Sequence, residues 1–183
     1  MKIGFDLDGI FIDRPPLVPK SLLEWLYRGP QNHVPKYRFP STNIEQKIRK
    51  WSHQPVFRQK ISTNIEFLKE LSINGDYEIF LISSRYNFLT SETNKILKLY
   101  NFKKYFSKIY LNSQDLQPHL FKESVLKKIN LSVFIDDDLL VIKYLNSRLS
   151  KTSLLWYNPG REGRLSEGIV RIKALKELYS HLK

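Results

Sequence analysis

The sequence predicts an α/β protein: a three-layer, doubly wound, mainly parallel sheet with a small helical cap inserted into it. Three observations predict this. Short apolar runs recur along the chain, those runs are nearly continuous rather than alternating, and helical patterns separate them from Phe67 to the end. Strands covered on both faces read as continuous apolar runs, which is the mark of a parallel sheet between helices. Regular alternation of strand and helix is how such sheets are wound.

Five runs read as strands: Lys2–Leu7, Tyr77–Ser83, Lys108–Leu111, Leu131–Asp136 and Ser153–Trp156. Between them a helix is expected from Thr63, where Thr63 and Glu66 have capping-box spacing, to Asn74-Gly75, since glycine takes the left-handed conformation that ends helices. Further helices are expected over Ser91–Tyr100, Lys122–Ile129, Val141–Leu149 and Val170–Leu182.

One stretch breaks the alternation. From Asp13 to about Lys60 there is no strand-like run, and the stretch holds Pro15, Pro16, Pro19, Pro30, Pro35, Pro40 and Pro55. Two short helical patterns lie inside it, Ser21–Tyr27 and Thr42–Trp51. A connection this long needs a structure or function of its own. The expected organisation is therefore a core domain made of residues 1–13 and 61–183, and a helical cap of residues 14–60 over the carboxyl edge of the sheet.

Composition bounds the chemistry. The 183 residues are 42% hydrophobic and 26% charged, as in ordinary globular domains. The absence of cysteine rules out disulfides, thiolate nucleophiles and zinc–thiolate sites, and it fits a cytoplasmic protein. The apolar run Ile3–Leu7 is too short for a signal peptide and Asp6 interrupts it. No stretch reaches membrane-spanning length, so no membrane partner is expected. A net charge of +12 attracts anions, whether phosphorylated metabolites or nucleic acid, without choosing among them.

The residues that carry chemistry sit at predicted strand ends. Phe5-Asp6-Leu7-Asp8-Gly9 closes the first strand with two carboxylates and a glycine that permits a sharp turn. Both carboxylates then face the crevice where open α/β sheets bind ligands. Asp136-Asp137-Asp138 follows Val133-Phe134-Ile135. Three adjacent acids repel one another unless positive charge sits among them, and a hard divalent cation such as magnesium suits carboxylate oxygens. Asp138 also reads as a helix cap. Ser83-Ser84-Arg85 leaves the second strand with hydroxyls and backbone N–H groups able to hold a phosphoryl oxygen. Lys122, in the helix before the acidic strand, is placed to neutralise phosphate and carboxylate together.

In this order the four elements resemble the motifs of the haloacid dehalogenase-like hydrolase superfamily, across essentially the whole chain apart from the insert. Asp6-Leu7-Asp8-Gly9 is similar to the first motif, Ser83 to the second, Lys122 to the third and Asp136-Asp137 to the fourth. Ile10 departs from the usual Thr or Val. Ile82-Ser83-Ser84-Arg85, Phe106–Asn112 and Ile135-Asp136-Asp137 look most like the small 5′-nucleotidase-like branch. The resemblance implies a magnesium-dependent phosphatase acting on a phosphate monoester, a nucleotide or another small metabolite. Asp6 would be the nucleophile that forms an aspartyl-phosphate, and Asp8 the acid and base. Magnesium would be held by Asp6, the carbonyl of Asp8 and Asp137, with Asp136 beside them. Ser83, with Ser84 and Arg85, would bind phosphate, and Lys122 would steady the charge.

The insert carries ten Lys or Arg against two acids, which is +8 of the +12. Trp25, Tyr27, Tyr37, Phe39, Trp51 and Phe57 are interleaved with them. Cations and rings together suit a nucleotide, while aromatics at helical spacing equally build the core of a small cap. Arg14 and Arg85 lie nearest the motifs. The same charge supports an alternative of another class, a nucleic-acid-binding or end-processing protein, which the intact acidic set disfavours. A domain that only keeps the fold, without turnover, is the third reading.

Overall fold

The computed structural model describes residues 1–15, 27–28, 35–160 and 168–182. Six parallel strands form one sheet in the order β3-β2-β1-β4-β5-β6. They are β1 (Lys2–Phe5), β2 (Glu78–Tyr86), β3 (Lys108–Asn112), β4 (Val133–Asp136), β5 (Ser153–Tyr157) and β6 (Val170–Ile172). Helices α1 (Asn43–Ser52), α2 (Ser62–Ile73), α3 (Thr90–Leu99), α4 (Pro118–Ile129) and α5 (Leu139–Asn146) lie between them.

Side chains alternate across the sheet and make two cores. Ile3, Phe5, Ile79, Leu81, Val133, Ile135 and Leu155 point to one face, against Ile65, Leu68 and Leu71 of α2 and Ile96 and Leu97 of α3. Phe80, Ile82, Phe134, Leu154 and Trp156 point to the other, against Phe121, Val125 and Leu126 of α4 and Val141, Ile142 and Leu145 of α5. Burying both faces is what makes these runs continuous in sequence.

The winding places the site. From β1 the chain adds β2 and β3 on one side, then returns to add β4, β5 and β6 on the other. The direction changes between β1 and β4, and a crevice opens there beyond their carboxyl ends. Asp6 follows β1 and Asp136 ends β4.

Several expectations are corrected. The helix expected over Val170–Leu182 is instead β6 followed by a 3₁₀ helix, Leu175–His181. β6 extends the sheet because Val170 and Ile172 pair with Leu155 and Tyr157 of β5. Helix α2 begins at Ser62 with Ile61 as its cap and no side-chain capping bond, so Thr63 and Glu66 lie inside the helix. The capping box is found elsewhere, between Thr42 and Glu45 at the start of α1. Helix α4 starts at Pro118, one turn earlier than expected, so Lys122 sits in its interior. The helical pattern at Ser21–Tyr27 lies outside the described residues apart from Tyr27. The described part of the insert is fastened to the sheet edge. Gln117 exchanges two hydrogen bonds with the Tyr37 backbone, at 2.8 and 3.1 Å, and the Tyr86 hydroxyl donates to the Tyr37 carbonyl at 3.2 Å.

Candidate active site

Adjacent strand ends bring the acids together. The Asp6 N–H donates to the Ile135 carbonyl at 3.0 Å, which sets Asp6 beside Asp136. Lys122 reaches both from α4, with Nζ 2.7 Å from Asp136 Oδ2 and 3.2 Å from Asp6 Oδ1. Carboxylate oxygens of Asp6, Asp136 and Asp137 all lie within 4.8 Å of one another. Gly9 makes this closeness possible twice over. Its φ of +72° is costly for any side-chain-bearing residue, and a Cβ there would fall 2.2 Å from the Asp137 carboxyl.

Charge around these carboxylates is short on the positive side. Burial pushes the Asp6 carboxyl well above the usual range, Lys122 pulls it down, and Asp136 raises it again. Asp136 is raised by burial against the same lysine. Asp137 is pushed up to about 7 by burial and by Asp136, although Arg14 donates to its Oδ2 at 3.0 Å. Three carboxylates therefore share two cationic side chains, and the remaining demand is for one more positive charge. The third acid of the run is satisfied separately. Asp138 caps α5 through bonds to the Leu140 and Val141 N–H groups, at 3.0 and 3.4 Å, and accepts from the Tyr37 hydroxyl at 2.7 Å and from Arg28.

Asp8 has different company. Arg85 grips it with two bonds, Nε to Oδ2 and one terminal nitrogen to Oδ1, both 2.7 Å. Arg58 approaches to 3.6 Å. Burial favours the neutral acid, but Arg85 first and then Arg58 overcome it and hold the carboxyl well below its usual range. Arg58 is braced by His53 at 2.7 Å, and His53 Nδ1 meets the Arg49 carbonyl at 2.7 Å. His53 therefore carries its proton on Nδ1 and accepts from Arg58 through Nε2.

These groups line a cavity of about 420 Å³. Asp6, Asp8, Ser84, Arg85, Lys122, Asp136, Asp137 and Arg14 all face it. Ser83 is outside the lining; it is buried, and its Oγ has no hydrogen-bond partner among the described residues. Strand alternation explains the difference. Ile82 and Ser84 share the sheet face of α4 and Lys122, and Ser83 falls on the opposite one. Of the described insert aromatics, Tyr27 and Tyr37 face the cavity. Phe39 instead packs on Tyr86 and Phe88, and Trp51 on Phe57; Trp25 lies outside the described residues. The lining residues that carried no local signal in the sequence include Arg28, His53, Arg58 and Trp156, whose Nε1 donates to the Asp137 carbonyl at 3.0 Å. The basic composition of the insert hinted at Arg28 and Arg58 alone.

The donor set suits a hard divalent cation. Three carboxylates within 4.8 Å, raised in pKa by burial and one another, are the ligands magnesium prefers.

No family model matches the chain, and no curated protein sequence matches it. Solved structures do. An archaeal β-phosphoglucomutase from Pyrococcus sp. strain ST 04 is similar with a TM-score of 0.58 at 14% identity, covering 98% of this chain and 99% of that one. A haloacid dehalogenase-like family hydrolase from Xanthomonas campestris aligns at 0.56 and 12%, covering 99% and 93%. An enzyme of the same family from Bacteroides thetaiotaomicron, solved with magnesium and inorganic phosphate, aligns at 0.52 and 17%, covering 88% and 95%. At these identities the likeness is one of architecture, and the architecture of this chain is the haloacid dehalogenase-like hydrolase fold.

Proposed function

We propose that the protein is a magnesium-dependent phosphatase that hydrolyses a small phosphate monoester through Asp6. One observation carries the reading: Asp6, Asp136 and Asp137, from strands 130 residues apart in sequence, converge within 4.8 Å beside the buried Lys122. Asp6, Asp137 and the Asp8 carbonyl would hold the ion, with Asp136 alongside. Bound magnesium would offset the repulsion between carboxylate and phosphate.

The chain's own groups then have defined work. An Asp6 oxygen attacks phosphorus as the bond to the leaving oxygen breaks, and a protonated Asp8 supplies the proton that oxygen needs. Asp8, now a carboxylate, takes a proton from water. That water attacks phosphorus, the bond to Asp6 breaks, and inorganic phosphate leaves. Lys122 balances the charge on Asp6, while Ser84 faces the phosphoryl group from the second strand. The Arg85 fork holds Asp8 as the carboxylate, which is the state required for the second step.

Proteins of similar fold include an enzyme solved with magnesium and inorganic phosphate and a β-phosphoglucomutase, which supports phosphoryl chemistry at this kind of site. The test is release of phosphate from p-nitrophenyl phosphate with magnesium. Wild type should turn over, chelation should stop it, and Asp6→Asn should be silent; an Asp6→Asn protein as active as wild type would refute the mechanism.

A further inference from the structure

The wall of the cavity around Asp8 holds more positive charge than it can use internally. Arg85 is 9% exposed and Arg58 4%. Arg85 spends its fork on Asp8 and its remaining terminal nitrogen on the Thr93 hydroxyl, at 3.3 Å. Arg58 has weaker company: the Asp13 carbonyl at 3.3 Å, His53 at 2.7 Å and Asp8 at 3.6 Å. Its Nε is buried and has no hydrogen-bond partner among the described residues. His53 accepts from Arg58 and is therefore neutral, and burial followed by the two guanidiniums keeps it so. Two guanidiniums thus face one carboxylate, and across the cavity lining six Lys or Arg stand against five Asp.

Burying a charge without a counterion is costly. Proteins keep such an arrangement where an anion from outside completes it, and paired guanidiniums fit phosphate in particular. The wall also adjoins the site proposed for the scissile phosphate, since Asp8 is two residues from Asp6 and both face the same cavity.

We propose that the substrate carries a second phosphate, and that Arg58, braced by His53, binds it together with Arg85 while the first phosphate lies on Asp6 and Lys122. The substrate class is then a bisphosphate rather than a simple monophosphate. The proposal rests on the phosphatase reading for the position of the first phosphate.

Binding and turnover separate the two ideas. Binding is measured by calorimetry in magnesium on the Asp6→Asn protein, which cannot form the covalent intermediate. Two matched pairs serve as probes: adenosine 3′,5′-bisphosphate with adenosine 5′-monophosphate, and fructose 1,6-bisphosphate with fructose 6-phosphate. In at least one pair the second phosphate should tighten binding by ~10-fold or more, as expected for a buried charge-assisted contact. Adding Arg58→Gln should bring the members of that pair to within about threefold of each other, with Arg58→Lys in between. Should the glutamine variant fail to fold, the lysine variant must still lower the ratio. Equal binding within both pairs, or a ratio unchanged by either Arg58 variant, overturns the proposal. Wild-type turnover of these compounds is read separately, so a protein that discriminates in binding but never releases phosphate sinks the phosphatase reading alone.

Discussion

Asp8 and Arg85 are locked in a two-bond fork, both contacts 2.7 Å, between the residue proposed as acid and base and an arginine from the neighbouring strand. The fork has a cost for catalysis. It keeps Asp8 charged, so protonation of a poor leaving group requires the guanidinium to let go. Replacing Arg85 with Gln removes the charge that depresses Asp8, and an acid whose pKa rises stays protonated to higher pH. The ratio of kcat/KM on an alkyl phosphate to that on p-nitrophenyl phosphate, which needs little protonation, should therefore fall away at a pH about one unit higher or more in Arg85→Gln. Identical ratio profiles for the two proteins would show that Arg85 does not set the Asp8 proton.

Lys122 holds two carboxylates with one ammonium. Both are buried, and the lysine is 3% exposed. Lys122→Met leaves Asp6 and Asp136 facing each other without a cation, and breaking a buried ion pair in this way costs about 3–5 kcal/mol. For a chain of this size that lowers Tm by roughly 6–20 °C. Thermal melts in chelator should show the drop, and the double variant Lys122→Met with Asp136→Asn should recover part of it. A single variant as stable as wild type would mean that the pair is not strained by burial.

The sheet was legible in the sequence because both faces are buried. Ile79–Ile82 and Val133–Ile135 could be read as interior strands, and the acids at their ends followed from the winding. The end of the chain misled for a physical reason. Ile172, Leu175 and Leu178 are spaced by three and all buried, a rhythm shared by a helix and by the short 3₁₀ turn that forms here, while three residues of β6 are too few to show a strand period. Arg85 stands beside Ser84 in sequence and could be marked. Arg58 and His53 could not, because their place at Asp8 depends on how a proline-rich insert folds back, and no strand register dictates that.

Gly9 and Gly75 allow backbone strain and close approach to be separated. Both take positive φ, +72° and +70°, but a Cβ at Gly9 meets the Asp137 carboxyl at 2.2 Å while at Gly75 nothing lies within 4 Å. Gly75→Ala should lose about 1–2 kcal/mol to strain and leave magnesium binding unchanged. Gly9→Ala must also push Asp137 aside, so its magnesium affinity should fall by roughly 10-fold or more. Titrating the magnesium-induced rise in Tm on both variants checks this. Equal affinity in the two would show that Asp137 does not bind the ion.

His53 makes acid stability testable without touching the carboxylates that would bind metal. The ring is buried, and burial first, then Arg58 and Arg85, hold its pKa well below the ordinary histidine value. It binds its proton less tightly in the folded protein than in the unfolded chain. Below about pH 6.5 the unfolded chain takes up that proton first, so stability falls as pH falls, by up to ~1.4 kcal/mol per pH unit for this one group. A protonated ring would also lose its bond from Arg58, because Nε2 could no longer accept. Replacement by Gln keeps an acceptor for the guanidinium and removes the titration. Plotted from pH 7 to pH 5, the Tm of His53→Gln should decline less steeply than that of wild type, with the two curves converging at the acid end. Parallel curves would mean that the folded protein accommodates a charged His53, and that the Arg58 brace is not built on its neutral form.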